Sequence, residues 1–131
     1  MPINIDSALG IHTDALALRA RRAEVLASNL ANVDTPNYKA RDFDFRTVLD
    51  RAQQGAGMLK VSHPAHIPSA GANAAMPELA YRMPLHASLD GNTVDASQEQ
   101  AAFAENALQY RASLTFLNSR IRGLLTAIRG E

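Results

Sequence analysis

The sequence predicts a mainly α-helical protein in which long N- and C-terminal helices pack as an antiparallel, coiled-coil-like pair, with an irregular middle segment that carries short β pieces. Three observations lead to this fold class. The stretch from Ile11 to Val33 contains neither proline nor glycine, apolar residues recur every three or four positions from residue 103 to residue 128, and prolines and glycines concentrate between these two regions. The chain has 131 residues, the length of one domain. Its three parts are residues 1–36, 37–93 and 94–131.

The N-terminal part is predicted to form one helix over residues 4–33. Strong helix formers dominate it, and two adjacent apolar stripes make a face broader than one partner helix covers. The helix should end near Asn32, because the residue before Pro36 avoids helical backbone. Thr35–Tyr38 then forms a turn in which Asn37 takes a positive φ. The stripe residues expected to pack against the C-terminal seam or a neighbouring subunit are Leu18, Val25, Leu26 and Leu30.

Residues 39–93 are predicted to be irregular. Proline, alanine and glycine are concentrated at 63–77, which indicates a loop, and Asp90-Gly91 marks a turn. Short extended pieces are expected at three places: residues 43–48, Met58–Ser62 and Leu79–Met83.

Residues 95–129 carry the strongest pattern, and they predict a long helix. Apolar residues alternate in steps of four and three through eight positions, as in the a/d seam of a coiled coil. Asp95, with Gln98 three residues later, is a predicted N-cap. Acidic residues lie in the first half and arginines in the second, which matches the helix dipole. The seam consists of Phe103, Ala107, Tyr110, Leu114, Leu117, Ile121, Leu124 and Ile128.

The length of this helix argues for an elongated molecule. A helix of about 34 residues is roughly 50 Å long, whereas a compact chain of this size has a diameter of about 36 Å. Apolar surface is therefore left over, and either other subunits cover it or the isolated chain stays partly unfolded. An ordinary helical hairpin core gives the same periodicity, so periodicity alone leaves both interpretations open.

Charge and composition exclude several functions. The 13 basic and 13 acidic residues balance, whereas nucleic-acid binding calls for a basic surplus. The chain has no cysteine, which excludes disulfides and thiolate metal sites. No segment is expected to insert into a membrane, and the first residues lack the features of a cleaved signal peptide. We expect no cofactor, no metal and no small-molecule substrate.

Residues with catalytic potential are few. His63 and His66 have a metal-ligand spacing, but prolines prevent a helix there and no acidic residue lies within ten positions, so a loop is the favoured interpretation. Asp42 and Asp44 stand two apart, and nothing nearby in sequence raises a pKa, so we expect a solvated face. A hydrolase or metal enzyme built on the two histidines stays an alternative.

The chain resembles the bacterial flagellar rod and hook proteins. Residues 27–32 read A-S-N-L-A-N, which resembles the A-x-N-[IL]-A-N helix end of that family, and Thr35-Pro36-Asn37-Tyr38 resembles its T-P-G-Y turn. The family usually has glycine where this chain has Asn37, and asparagine tolerates the same backbone. The segments that resemble basal-body rod proteins in particular are Tyr38–Phe45, His63–Ile67, Ser88–Asp95 and Glu105–Tyr110.

This resemblance implies a structural subunit of the proximal rod of the flagellar basal body and not an enzyme. Such a subunit self-assembles through its terminal helices into a tube that transmits motor torque and forms part of the export channel. The implied partners are copies of itself, other rod proteins (FlgC-type), a FliE-type adaptor, and export-gate or membrane-ring components. The implied location is the periplasmic rod, reached through the flagellar type III system without a cleaved signal.

The resemblance also implies roles for individual residues. Asn29 and Asn32 are expected to form hydrogen bonds near the helix end that fix the turn, and an ordinary helix C-cap role is the alternative for both. Pro36 and Tyr38 are expected to direct the chain out of the tube wall. The heptad residues are expected to form the seam of the inner helix. The alternative that the residues leave open is a cytosolic helical adaptor or regulator that acts as a soluble oligomer.

Overall fold

The computed structural model describes residues 9–53, 77–84, 86 and 88–130. Within these ranges the two long helices pack against each other. Two short strands, which lie between the long helices in sequence, pair with each other. The predicted mainly α-helical fold class is therefore confirmed. The elements in chain order are α1 (Ile11–Ala31), β1 (Arg41–Asp42), α2 (Phe45–Gln53), β2 (Ala80–Tyr81) and α3 (Ala96–Arg129).

α1 is shorter than the helix predicted over residues 4–33. Gly10 has a φ of 51° and a ψ of −134°, a conformation that a right-handed helix does not contain, so α1 begins at Ile11. At the other end Asn32 is the C-cap, and its N–H donates to the carbonyl oxygens of Asn29 and Leu30. Residues 1–8 lie outside the described residues.

The turn after α1 is confirmed. The N–H of Tyr38 donates to the carbonyl oxygen of Thr35 at 3.3 Å, and Asn37 has a φ of 61°. A positive φ at this position, with proline before it, is typical of a type II turn. The chain therefore reverses here and returns along α1.

β1 and β2 form a two-stranded antiparallel sheet. Arg41 lies opposite Tyr81, and Asp42 lies opposite Ala80. β2 falls within the predicted strand Leu79–Met83. Three other predictions lie outside the described residues: the strand Met58–Ser62, most of the loop 63–77, and the histidine pair His63 and His66.

The prediction of an extended piece at residues 43–48 is wrong, because Phe45–Gln53 forms α2. The reason is Asp44, which is exposed as expected but also caps a helix. Its side chain accepts hydrogen bonds from the N–H groups of Arg46 and Thr47 at 3.0 and 3.4 Å. These bonds satisfy first-turn donors that would otherwise lack a partner and so start the helix.

α3 has the predicted N-cap. The Asp95 carboxylate accepts hydrogen bonds from the N–H groups of Ser97 and Gln98. The helix ends at Arg129, and its C-cap is Gly130, whose φ is 75°. α3 has 34 residues, which corresponds to about 51 Å at 1.5 Å per residue.

The two long helices are antiparallel. Successive contacts run in opposite directions along the two helices: Asn29 with Glu99, Arg19 with Ser113, and His12 with Phe116. The predicted antiparallel pair is confirmed.

The apolar core is small and lies between α1 and the middle segment. Six apolar and five polar or charged residues are buried in the described part of the chain, so the interior is almost half polar. Leu26 is fully buried and Leu30 is half-buried. The core cluster comprises Leu18, Val25, Phe43 and Val48, with Phe45 and Leu49 packed against it.

None of the helices in the described ranges combines the length and the apolar character needed to cross a membrane.

Candidate assembly site

Asn29 of the A-S-N-L-A-N motif joins α1 to β1. Its side chain is fully buried. Its Oδ1 accepts from the N–H of Arg41 at 3.1 Å, and its Nδ2 donates to the carbonyl oxygen of Arg41 at 2.8 Å. The adjacent Ala40 bonds to Arg82 across the sheet, so the polar backbone groups of Arg41 point the other way. The Asn29 carboxamide thus closes the free edge of β1 as a neighbouring strand would.

Glu99 is the most deeply buried acid of α3, with 1% of its surface exposed. Its Oε2 accepts a hydrogen bond from Asn29 Nδ2 at 3.2 Å, and its Oε1 forms an ion pair with Arg82. One carboxylate therefore joins α1, the residue after β2, and the beginning of α3. Removing one partner of a buried ion pair costs about 3–5 kcal/mol, so this contact fixes the three segments relative to one another.

Asp42 extends this contact to a second acid. Its Oδ1 and Oδ2 accept from Nε and Nη2 of Arg22 at 3.2 and 3.0 Å, and its Oδ2 also accepts from Nη2 of Arg82 at 2.6 Å. The prediction of a solvated face for Asp42 is wrong, because two arginines from other segments converge on it. We call Arg22, Asn29, Asp42, Arg82 and Glu99 the Glu99 cluster.

The pKa of Asp42 reflects these contacts. Burial raises this pKa, but the hydrogen bonds from Arg22, from the N–H of Phe43 and from Arg82 outweigh burial and hold the pKa below its ordinary value. The hydrogen bond to Asp42 likewise raises the pKa of Arg22, against the opposing effect of burial. Both groups are therefore charged at neutral pH and stabilise each other.

The turn after α1 is held by the segment before α3. The N–H of Asn37 donates to the carbonyl oxygen of Asp90 at 2.9 Å. Gly91 has a φ of 73°, and a Cβ at that position would lie 2.7 Å from Oδ1 of Asn37. Glycine is therefore the residue that fits there, both for its backbone conformation and for the space that Asn37 leaves.

Asn92 caps the end of α1 from outside. It is 6% exposed, and its Nδ2 lies 3.1, 2.7 and 3.0 Å from the carbonyl oxygens of Asn32, Val33 and Thr35. The last carbonyl groups of a helix lack partners within the helix. Asn92 supplies a donor to the carbonyl group of the C-cap residue, Asn32, and to those of the turn that follows, and so anchors the segment before α3 to the end of α1.

The structure places the motif residues together at this end of the molecule. Asn32 donates from Nδ2 to the carbonyl oxygen of Ser28 at 2.8 Å and accepts from Oγ1 of Thr35 at 3.1 Å. The hydroxyl of Tyr38 donates to Oδ1 of Asn29 at 3.4 Å. Of the motif residues Asn29, Asn32 and Thr35 to Tyr38, three are exposed to solvent: Thr35, Pro36 and Asn37.

α3 meets α1 through polar side chains. Its buried residues are Glu99, Asn106 and Ser113, which stand seven residues apart. Asn106 donates from Nδ2 to the carbonyl oxygen of Arg19 at 2.9 Å, and Ser113 Oγ accepts from Nε of Arg19 at 3.2 Å. Polar partners on α1 therefore set the register of the two helices.

The predicted apolar seam lies on the neighbouring face of α3, about 70° around the helix at 3.6 residues per turn. None of the seam residues is fully buried, and three of them, Phe103, Ile121 and Ile128, are 39%, 38% and 81% exposed. Ala107 is also exposed, and the half-buried members are Tyr110, Leu114, Leu117 and Leu124. We call this set the outer seam.

The apolar side chains of α1 also pack differently from the expected contact with the seam of α3. Leu18 and Val25 pack against Phe43 and Val48 of the middle segment, and not against the apolar seam of α3. The polar stripe has hydrogen-bond partners on α1 and occupies the centre of the contact between the helices. The outer seam lies beside this contact, with four of its eight residues half-buried and four exposed.

Sequence reasoning missed Arg22, Arg82, Asn92 and Asn106, and it used Glu99 only as an acid near a helix N-terminus. The sequence does contain one pattern that indicates the role of Glu99 and Asn106. Glu99, Asn106 and Ser113 repeat every seven residues, so a polar heptad stripe runs beside the apolar one. The other residues gain their roles from contacts between distant parts of the chain.

The polar groups of the site serve packing and capping. Among the described residues, no group of three or more His, Cys, Asp or Glu side chains is arranged to hold a metal ion. Two of the serines are engaged close to the turn regions: Ser28 Oγ lies 3.4 Å from the Tyr38 hydroxyl, and Ser88 donates to Asp90. The arrangement holds helices and turns in place.

We predict that Asn29→Asp lowers the free energy of unfolding by about 3 kcal/mol. The substitution replaces the Nδ2 donor with a carboxylate oxygen beside the buried Glu99, so two negative charges face each other. Urea denaturation followed by circular dichroism measures the change. Asn118→Asp, the same substitution at an exposed position of α3, should change stability by less than about 0.5 kcal/mol.

Glu99→Gln in the Asn29→Asp background should recover part of the lost stability, because it removes one of the two charges. Equal stability of Asn29→Asp and Asn118→Asp would contradict the assignment of Glu99 and Asn29 as a buried pair.

We predict that Asp42→Asn lowers the free energy of unfolding by about 2 kcal/mol at pH 7 and that this difference shrinks below about pH 4. A carboxylate with a lowered folded-state pKa stabilises the fold above its unfolded-state pKa, and this stability is lost as the pH falls through the folded-state pKa. Urea denaturation at several pH values between pH 7 and pH 3 measures how the free energy of unfolding of the unmodified chain and of the variant depends on pH. Asp34→Asn, at an exposed position, is the control, and a difference for Asp42→Asn that stays constant down to pH 3 would show that the ion pair is unimportant.

Comparison with known proteins identifies the family. The profile of the family described as "Flagella basal body rod protein" matches residues 9–39, which contain α1 and the turn after it. The chain is 53% identical over 123 residues to the flagellar basal body rod protein FlgB of Cereibacter sphaeroides strain ATCC 17029, and the alignment covers 94% of each chain.

Other relatives agree. The FlgB protein of Aeromonas hydrophila is 48% identical over 135 aligned residues, which cover 100% of this chain and 99% of the relative. The FlgB protein of Escherichia coli K12 is 43% identical over 131 residues, with 95% of each chain covered. Identity at this level along nearly the full length shows that the chain belongs to the FlgB family of flagellar basal body rod proteins.

Proposed function

We propose that this chain is a structural subunit of the proximal rod, which self-assembles through α1 and α3 into the shaft that transmits motor torque and encloses part of the export channel. The observation that carries this proposal is the outer seam. A helix of 34 residues presents apolar side chains outward at heptad spacing, in a chain that belongs to a rod-protein family. Packed helices in a tube wall are the environment that such a seam requires.

The Glu99 cluster and the turn serve the assembly by fixing the subunit's internal geometry. Asn29, Arg82 and Asn92 hold the beginning of α3 against the end of α1, so the outer seam keeps one orientation relative to the turn. Pro36 and Tyr38 turn the chain back along α1, where the middle segment packs on the side of the helix that we place toward the outside of the tube wall. The function is mechanical, and the chain acts as neither an enzyme nor a cofactor carrier.

The partners that we propose follow from membership in the family. Copies of this chain, FlgC-type rod proteins, a FliE-type adaptor and components of the export gate or membrane ring would surround it in the periplasmic rod. The chain would reach this place through the flagellar type III system without a cleaved signal. No observation favours the cytosolic adaptor that the sequence left open as an alternative.

We predict that Ile121→Asp abolishes both incorporation into basal bodies and swimming, while the helical content of the purified chain changes little. Ile121 is 38% exposed, so the charge is tolerated in the free subunit. In an assembled wall it would be buried without a partner, which is costly. Immunoblots of isolated basal bodies and soft-agar motility measure the effect.

The matched control is Thr115→Asp, an exposed polar position on the same helix but away from the outer seam. It should swim and assemble normally. Normal swimming of Ile121→Asp would contradict the assembly role of the seam, and loss of helix in Ile121→Asp is checked by repeating the assay with Ile121→Ser.

A further inference from the structure

The two edges of the sheet formed by β1 and β2 differ. Asn29 of α1 closes the edge of β1 by bonding to both backbone groups of Arg41 at 3.1 and 2.8 Å, so the edge of β2 points away from α1. Arg82 donates its N–H to the carbonyl oxygen of Ala40 across the sheet, and the direction of the backbone groups alternates along a strand. The N–H and carbonyl groups of Tyr81 therefore point out of the sheet, away from β1.

The outward edge of β2 is exposed and apolar. Leu79, Tyr81 and Met83 alternate along it and are 37%, 67% and 87% exposed. Pro77 and Pro84 stand on either side of this stretch, so the edge is short. An exposed strand edge is a template for pairing with another chain, and a sheet of two strands is less stable than one of three. The edge of β2 therefore has the form that a third strand requires.

A cation lies beside this edge. Arg41 is directly opposite Tyr81 in the sheet, so their side chains share one face. The Cζ atom of Arg41 lies 5.2 Å from the centroid of the Tyr81 ring, and its Nη2 donates to the Tyr81 hydroxyl at 3.5 Å. The guanidinium thus reaches from β1 over β2 toward the open edge, and stacking on the ring favours this position. A carboxylate on a third strand would meet the guanidinium beside Tyr81.

The charge of Arg41 is available to a partner. The pocket beside this face of the sheet is lined by three basic residues and one acidic residue, which are Arg21, Lys39, Arg41 and Glu24. Arg21 is paired with Glu24, and Lys39 has an electrostatic interaction with Asp90. In the described part of the chain, no carboxylate forms an ion pair with Arg41. The acidic residue at the beginning of this stretch, Glu78, lines a different pocket, which also contains Arg51.

Charge distinguishes the candidate occupants of the edge. Residues 54–76 of this chain contain no acidic residue, so they offer no carboxylate to Arg41. Two copies joined edge to edge at β2 would bring their Arg41 side chains toward each other, and this two-fold contact would stop at a dimer. An extended segment of another protein, with acidic side chains at alternate positions, fits both the backbone groups of the edge and the cation beside it.

We propose that β2 accepts an extended, acidic segment of another protein as a third strand, with one carboxylate of that segment paired to Arg41. Main-chain hydrogen bonds to Tyr81 supply the affinity, and the contact with Arg41 supplies the preference for an acidic partner. This inference goes beyond the proposed function, because it concerns the sheet of the middle segment and a partner other than the packed terminal helices.

A peptide titration tests the proposal. The isotope-labelled full-length chain is followed by nuclear magnetic resonance while the peptide acetyl-Val-Glu-Val-Glu-Val-amide is added. We expect the backbone amide signals of Leu79 and Tyr81 to shift, with a Kd of about 1 mM or lower. The charge-reversed peptide acetyl-Val-Lys-Val-Lys-Val-amide should bind about tenfold more weakly or less, because its ammonium groups face a guanidinium.

Arg41→Glu should weaken binding of the acidic peptide about tenfold and strengthen binding of the lysine peptide, because it turns an attraction into a repulsion. The Arg41 side chain is exposed, and Asn29 contacts only its backbone. Arg41→Gln removes the charge without reversing it, and it should weaken binding by a smaller factor if Arg41→Glu perturbs the sheet. The matched control is Arg122→Glu, an exposed arginine about 35 Å along α3 from Glu99, which should leave the affinity unchanged.

Several outcomes would overturn the proposal. Equal binding of the acidic and lysine peptides would mean that Arg41 does not select the partner. Equal binding of the acidic peptide with every backbone nitrogen methylated would mean that no third strand forms, because this peptide has no N–H to donate to Tyr81. Absence of shifts at Tyr81, or shifts that depend on the concentration of the chain without peptide, would mean that this chain itself occupies the edge. None of these results bears on the proposed function, which the incorporation of Ile121→Asp into basal bodies tests separately.

Discussion

The structure depends on the burial of one carboxylate. Glu99 is 1% exposed and joins Asn29 of α1 to Arg82 beside β2. A buried charge keeps its partners because separating them costs several kcal/mol, so this single group holds the two long helices and the short sheet in one geometry. The apolar core of the described residues is too small to do so alone. Arg82 also contacts Asp42, which brings Arg22 of α1 into the same arrangement.

The same chemistry decides which face of α3 is free. Glu99, Asn106 and Ser113 occupy the contact with α1 because α1 offers hydrogen-bond partners at matching positions. A polar contact of this kind specifies register more than it adds stability. Phe103, Ile121 and Ile128 of the apolar outer seam thereby stay exposed, whereas an ordinary helical hairpin buries its apolar stripe. Under the proposed function, neighbouring subunits cover these side chains in the rod.

Local signals in the sequence were sufficient for much of the fold. Proline at position 36 and asparagine at position 37 define the turn, Asp95 defines the start of α3, and the alternation of apolar residues defines its length. The contacts of the candidate site were harder to predict from the sequence. Asp42 has its partners 20 and 40 residues away, so its sequence neighbours give no sign of them. The sequence does not predict α2, because an aspartate between two phenylalanines fits a solvated face as well as it fits the helix cap that Asp44 forms.

The sequence also did not predict which face of α3 contacts α1, and the reason is physical. Two stripes about 70° apart on one helix both fit a heptad pattern, and apolar residues are the usual choice for the inner face. Which stripe faces α1 depends on hydrogen-bond partners that only the folded chain brings together. We propose that the polar stripe of α3 faces α1 in the assembled rod as well, and that the apolar stripe meets other subunits. An image of the assembled basal body at side-chain resolution tests it most directly: we expect Phe103 to Ile128 to lie between copies while Glu99 keeps Asn29 and Arg82 within one chain. A rod in which the apolar stripe of α3 packs on α1 of the same chain, with Glu99 exposed, would contradict this account.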